Sequence, residues 1–207
     1  MTAESAAPRQ PPAALLADAQ RLARQFGADW GHSLRVGAHA GALFSALRPA
    51  LREGTGLAPD ELLQRLLLAA YLHDVGRAVA TKRHHRHSRY LIGHSEHTGA
   101  WDGALRADVA ALAYTHRRRA RESWRRTQFG GDRALFRLAA VLRVADALDR
   151  SHENRVEILS AGWENRGFAL AVAGLAPCDA AHLRECKADL FELAFAQPLL
   201  LNSRAAP

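Results

Sequence analysis

The sequence predicts a mainly α-helical bundle with a small C-terminal α+β addition made of a β-hairpin, a helix and a short strand. Apolar residues recur at three- and four-residue steps through most of the first 152 residues, the period of helices packed on one face. Within them Leu66 to Arg77, LLLAAYLHDVGR, begins as a helix apolar on nearly every side, and such a helix belongs at the centre of a domain. From Arg155 onward the period changes to alternation in VEILSAGWENRGFALAVAG, around a Glu-Asn-Arg-Gly turn.

Residues 1–11, rich in Ala and Pro, read as a disordered tail; residues 12–152 form the helical domain, and 153–207 the extension packed on it. The first helix runs from Pro12 to Phe26 and stops at Gly27. The second, Trp30 to Leu51, carries a stripe of Val36, Ala40, Leu43 and Leu47, with His32 and His39 on the same side. After the loop REGTGLAP, Asp60 is positioned to cap the central helix, which ends at Gly76. Next comes TKRHHRHSRYLIGHSEH, where His87, Tyr90 and Leu91 share a helical face and make His87 the inward histidine. His84, His85, His94 and His97 read as helix-end or surface histidines. A helix from Ala104 to Arg119 has its stripe at Val109, Leu112, Ala113 and His116, and RARESWRRTQFGGD then reads as a basic loop. The helix from Arg133 to Arg150 aligns Leu135, Ala139, Leu142, Asp146 and Asp149, so carboxylates stand where the pattern calls for apolar residues. The hairpin, a helix from Asp179 to Ala196 and the apolar PLLLN complete the order.

A chain of 207 residues, 48% hydrophobic, supports one full core. No run approaches the roughly 18 apolar residues of a membrane span, and MTAESAAPRQPP lacks the basic start and apolar segment of a secretory signal, so a cytoplasmic location without membrane partners is expected. Cys178 and Cys186 are too few for a disulfide framework and lack CxxC spacing; they read as structural thiols. A net charge of +7 and a pI near 10.4 suit an anionic partner: a phosphate ester, a polyphosphate or nucleic acid. The basic residues cluster after the His73-Asp74 pair, at Arg77, Lys82, Arg83, Arg86 and Arg89, and after His116, from Arg117 to Arg126.

His32, His73, Asp74, His87, His116 and Asp146 are thus six inward-facing residues from five predicted helices. A lone histidine on an apolar stripe is ordinarily a core residue with a satisfied hydrogen bond. A buried carboxylate, however, costs several kcal/mol unless it is paired or binds a metal, and the coincidence of all six is the pattern of a ligand set. Imidazole and carboxylate suit iron, manganese and other divalent metals, whereas the absence of paired cysteines argues against a structural zinc site.

The order His32, His73-Asp74, Asp146 resembles the HD-domain superfamily of metal-dependent phosphohydrolases, all-helical proteins named for that pair. More specifically, HHRHSRYLI at 84–92, LRVADALDRS at 142–151 and ECKADLFELAFAQPLLL at 185–201 are similar to the C-terminal HD region of the exopolyphosphatase / guanosine pentaphosphate phosphohydrolase (Ppx/GppA) family, a likeness spanning Trp30 to Asn202. The resemblance implies an HD-domain bundle in which His32, His73, Asp74 and Asp146 hold one metal. His87 and His116 stand where two-metal relatives place further histidines, implying a second ion bridged by Asp74. The cofactor implied is one or two divalent ions of Mn, Fe, Ni, Co, Mg or Zn. Those enzymes also carry an actin-like ATPase-fold part with glycine-rich phosphate loops that performs their phosphatase chemistry; these 207 residues hold no counterpart of it, so that activity is not carried over.

The expected reaction is therefore hydrolysis of a phosphoester or phosphoanhydride in a nucleotide or polyphosphate, with Asp74 at the metal and Arg77 and Lys82 on phosphate oxygens. The competing reading is a module that binds polyphosphate, nucleotide or nucleic acid through Arg117 to Arg126, with Trp124 and Phe129 for base stacking. A third is a subunit that docks on a separate Ppx/GppA-type phosphatase; a homo-oligomer is compatible with all three.

Overall fold

A computed structural model describes residues 10–204. Seven helices come first: α1 (Ala13–Gln25), α2 (Trp30–Leu51), α3 (Pro59–Leu72), α4 (His84–His94), α5 (Gly103–Thr115), α6 (Trp124–Phe129) and α7 (Arg133–Leu148). Then follow β1 (Glu157–Glu164), β2 (Gly167–Ala173), α8 (Pro177–His182), α9 (Ala188–Phe195) and β3 (Leu199–Arg204). The expected class, mainly helical with a small α+β addition, is the observed one. The tail expected over residues 1–11 falls, apart from Gln10 and Pro11, outside the described residues.

The all-round apolar character of α3 has the predicted consequence. Leu62, Leu66, Leu68, Ala69, Ala70 and Leu72 are fully buried, and α3 packs against α1, α2, α5 and α7. Burying a leucine side chain is worth roughly 1.5–3 kcal/mol, so this helix contributes much of the core. Its start differs from the expectation. Ala58 is the N-cap residue and Pro59 opens the first turn, where a missing N–H costs nothing; Glu61 Oε2 accepts the Ala58 N–H at 2.7 Å, and Asp60 lies inside the turn. In α2 the cap is Asp29, whose carboxylate accepts the His32 N–H at 2.9 Å.

The helix α3 does not run on to Gly76. His73 closes it, and a 3₁₀ turn, Val75–Ala78, carries the chain onto α4. A Cβ on Gly76 would stand 2.3 Å from Ser88 N and 2.4 Å from the His84 carbonyl oxygen, so only glycine lets the turn press on the α4 backbone. The Gly76 N–H donates to Ser88 Oγ at 3.0 Å. This close approach brings the start of α4 up to Asp74.

The segment read as a basic loop contains α6. Trp124 and Phe129 are buried, against Tyr114 and Phe136 respectively, and Gly130 in the left-handed region ends the helix. These two aromatics are core residues, not a surface for bases.

The three-stranded sheet has the order β1-β2-β3, with β1-β2 antiparallel and β2-β3 parallel. Phe168, Leu170 and Val172 of β2 are fully buried, and Phe168 packs on Phe191 of α9 with ring centroids 5.5 Å apart. Because α9 also packs on α7, the sheet clamps it against the bundle. The single helix expected from Asp179 to Ala196 is instead α8 and α9 joined by a π-helical turn, Leu183–Lys187.

Replacing Gly76 by alanine is expected to destabilise the fold by about 1–3 kcal/mol, since the added methyl must push backbone apart. Urea unfolding of Gly76→Ala at the wild-type midpoint would contradict this packing.

Candidate functional site

Four imidazoles meet where α2, α3, α4 and α5 converge. His32 lies in the first turn of α2, His73 closes α3, His84 opens α4 after Arg83 at φ 64°, and His116 closes α5; all four are at most 2% exposed. Each Nδ1 has an oxygen acceptor: Asp149 Oδ2 for His32 at 2.8 Å, and the carbonyls of Ala70 for His73 at 2.8 Å, Thr81 for His84 at 3.0 Å and Ala113 for His116 at 2.5 Å. At His84 the carbonyl is nearer than Arg117 Nη1, which stands at 3.3 Å. A neutral imidazole that donates from Nδ1 presents a lone pair at Nε2.

Those Nε2 atoms face one another, 3.3 Å apart for His32 and His73 and 3.1 Å apart for His84 and His116. Two lone pairs at such distances repel unless a cation lies between or beside them. Asp146 joins the first pair, with Oδ1 3.4 Å from His73 Nε2 and 3.8 Å from His32 Nε2. Asp74 joins the second, with Oδ1 2.8 Å from His84 Nε2 and 3.5 Å from His116 Nε2. Each trio offers three ligand atoms within 4.8 Å of one another. The same Asp74 oxygen is 3.9 Å from His73 Nε2, so it stands between the two trios. Nitrogen and carboxylate donors without thiolate fit a divalent first-row cation, and fixing each ring by its remote nitrogen is how metal-ligating histidines are ordinarily held.

Electrostatics favours positive charge here. Burial acts to lower His73, yet the carboxylates of Asp74 and Asp146 outweigh it and push His73 up to about 9. Burial prevails at His116, taking it down to about 4. Burial also acts to raise Asp74 and Asp146, but the surrounding histidines, and Lys187 beside Asp146, hold both well below the usual carboxylate range. Both are anions across the physiological range.

Five of the six expected ligands are therefore brought together: His32, His73, Asp74, His116 and Asp146. His87 is not among them, and His84 takes its place. The reason is the phase of α4. Its buried positions are His84, His85, Ser88 and Ile92, whereas Tyr90, used to orient His87, is 62% exposed. Giving Tyr90 an inward place turns the helix by about one residue and favours His87; His84 does stand at the helix end, as expected, but it is buried and not on the surface.

Around the donors opens a cavity of about 930 Å³, lined by Asp74, Asp146, His84 and His116 together with Arg77, Arg117, Arg118, Arg119, Arg150 and Lys187 among others. Arg77 lines it, with Nη1 3.1 Å from Asp74 Oδ2. Lys82 is exposed in the turn before α4 and does not line it, so its assignment to substrate phosphate is not carried forward.

The family model of Ppx/GppA phosphatase, domain III, matches residues 16–199. The chain belongs to the Ppx/GppA phosphatase family. No curated protein matches it.

Three further residues of this Ppx/GppA domain escaped sequence reading. Asp149, noticed on the α7 stripe but given no role, orients His32 and is itself held by Arg35 Nε at 2.8 Å. Arg143 is fully buried. Its Nη1 donates to the Arg118 carbonyl, and its Nη2 donates to the Cys186 carbonyl at 2.8 Å and to Asp189 Oδ1 at 2.6 Å, tying the arginine segment to the π-helical turn. Lys187, at the end of that turn, reaches Asp146. A basic residue in an apolar helix was the available signal for Arg143; nothing local marked Lys187.

Truncating a buried ion-pair partner typically costs about 3–5 kcal/mol. Arg143→Met is expected to lose stability on that scale and to expose the bonds after Arg117, Arg118 and Arg119 to trypsin. Wild-type stability together with wild-type digestion would refute the bracing role.

Proposed function

We propose that this Ppx/GppA domain is an HD-type, divalent-metal-dependent phosphohydrolase acting on a phosphoester or phosphoanhydride of a polyphosphate or nucleotide. The carrying observation is the convergence of four Nε2 atoms and two carboxylates, of which His84, His116, Asp74 and Asp146 line an arginine-rich cavity. His32, His73 and Asp146 would hold one cation and Asp74, His84 and His116 a second, with Asp74 reaching both. When bound, divalent cations supply Lewis acidity, which makes water a nucleophile at neutral pH and neutralises phosphate oxygens.

The remaining roles belong to the chain. Arg77, 48% exposed at its side chain, reaches from Asp74 into the cavity and binds phosphate oxygens by charge-assisted hydrogen bonds. Arg117 to Arg119, on the segment that follows His116, hold the rest of a multiply charged substrate. Asp74, a fixed anion, accepts a hydrogen bond from the attacking water and aims it at phosphorus. His32 is kept in register by Asp149 and by His152, whose ring stacks on it at 3.9 Å.

Purified protein supplied with Mn, Fe, Co, Ni, Mg or Zn and a panel of polyphosphates and nucleotides is expected to release phosphate, and a chelator to abolish the release. Asp74→Ala and His84→Ala should each lose about 10²–10³-fold in rate, on the scale of removing a principal transition-state contact, with fewer ions per chain by elemental analysis. His87→Ala should stay within about twofold of wild type. Hydrolysis absent with every metal, alongside salt-sensitive retention of a polyanion, would sink the enzyme and leave a binding module.

A further inference from the structure

Lys187 has no part in the chemistry described so far, and its placement calls for a cause. It closes the π-helical turn Leu183–Lys187, a widening inserted between α8 and α9 where a regular helix would be cheaper. Such turns recur at functional sites because they re-aim a side chain without breaking the helix. Here the turn aims Lys187 inward, to 9% exposure, with Nζ 2.8 Å from Asp146 Oδ2 and 3.2 Å from the His116 carbonyl oxygen.

An ammonium has three N–H donors. Two are engaged by Asp146 and His116, and the third is left on a side chain that lines the same cavity as Asp74. The plain alternative is a counter-ion for Asp146. A counter-ion would need only the Asp146 contact, however, whereas Nζ is also held by the His116 carbonyl oxygen on a side chain that lines the cavity, and burying a charge is unfavourable unless something is gained. Arg143 pins the adjacent Cys186 carbonyl and Asp189, so the lysine is held at a fixed position.

We propose that Lys187 is a catalytic residue of this site, donating its third N–H to a non-bridging oxygen of the transferring phosphoryl group while Asp146 and the His116 carbonyl hold the ammonium in place. The inference rests on the phosphohydrolase reading above. As the water oxygen bonds to phosphorus and gives up a proton to solvent, the bond to the leaving oxygen breaks with its electron pair staying on that oxygen, and the Lys187 N–H offsets charge on the non-bridging oxygens.

The test uses the full chain as Lys187→Gln, Lys187→Met and Lys187→Arg, with steady-state rates, metal content by elemental analysis, and titration with inorganic phosphate by calorimetry, both with and without added metal. Lys187→Gln is expected to lose about 100-fold in kcat with KM within about threefold. Its ion count should be unchanged and its phosphate affinity about tenfold weaker, while Lys187→Arg recovers part of both. Wild-type kcat and phosphate affinity in Lys187→Gln and Lys187→Met overturn the proposal, as does a loss that tracks lost metal and is not rescued by arginine. If the wild type itself hydrolyses nothing, the phosphohydrolase reading fails on its own. The catalytic role of Lys187 then falls with it, and the phosphate titration separately decides whether the lysine contacts a phosphate oxygen.

Discussion

Everything in this molecule is arranged around an electrostatic surplus: imidazole nitrogens with their lone pairs turned toward one another, and two carboxylates beside them. The rings are not free to turn away, because each is anchored at Nδ1 by a carbonyl or by Asp149. An ordinary histidine core would satisfy both nitrogens of each ring against protein atoms. This one satisfies the outer nitrogens and turns the inner ones toward each other and toward Asp74 and Asp146, an arrangement that favours positive charge at the centre. The elevation of His73 and the depression of Asp74 and Asp146 express the same surplus.

The fold is the device that enforces this convergence. The apolar helix α3 fixes His73 by burying nearly all of its own surface, and the turn at Gly76 draws α4 close enough for His84 to meet Asp74. From the other side, α7 contributes Asp146 toward the rings, Asp149 behind His32, and Arg143 beneath the arginine segment. The C-terminal sheet takes part indirectly: it clamps α9 on α7, and with it the turn that delivers Lys187. Cationic groups thus ring a cavity that Asp74 and Asp146 also line, so positive charge stands around anionic and imidazole donors.

Much of this could be read along the chain. The all-round apolar face of α3 announces a central helix, and a His-Asp pair at its end announces a buried polar site, because burial without a partner is too costly to tolerate. His32, His116 and Asp146 follow from their place on apolar stripes. The failures are equally physical. In α4 the aromatic Tyr90 suggests an inward face, yet its ring lies on solvent against His94, stacked at 4.4 Å, so the sequence pattern points to His87 where the fold presents His84. In α6 a run of arginines masked the buried Trp124 and Phe129, since a six-residue helix is too short to show a period.

What the sequence by itself determined is the class of the fold, its central helix and most of the residues gathered in the candidate site, since these depend on local periodicity and on the cost of burying charge. Only the tertiary structure decided that His84 completes the set, that Asp149 and Arg35 steady His32, that Arg143 braces two distant segments, and that Lys187 reaches Asp146 across 41 positions of chain. Those contacts depend on how helices are turned about their axes and how closely turns approach one another, and neither quantity is encoded in the spacing of any single element.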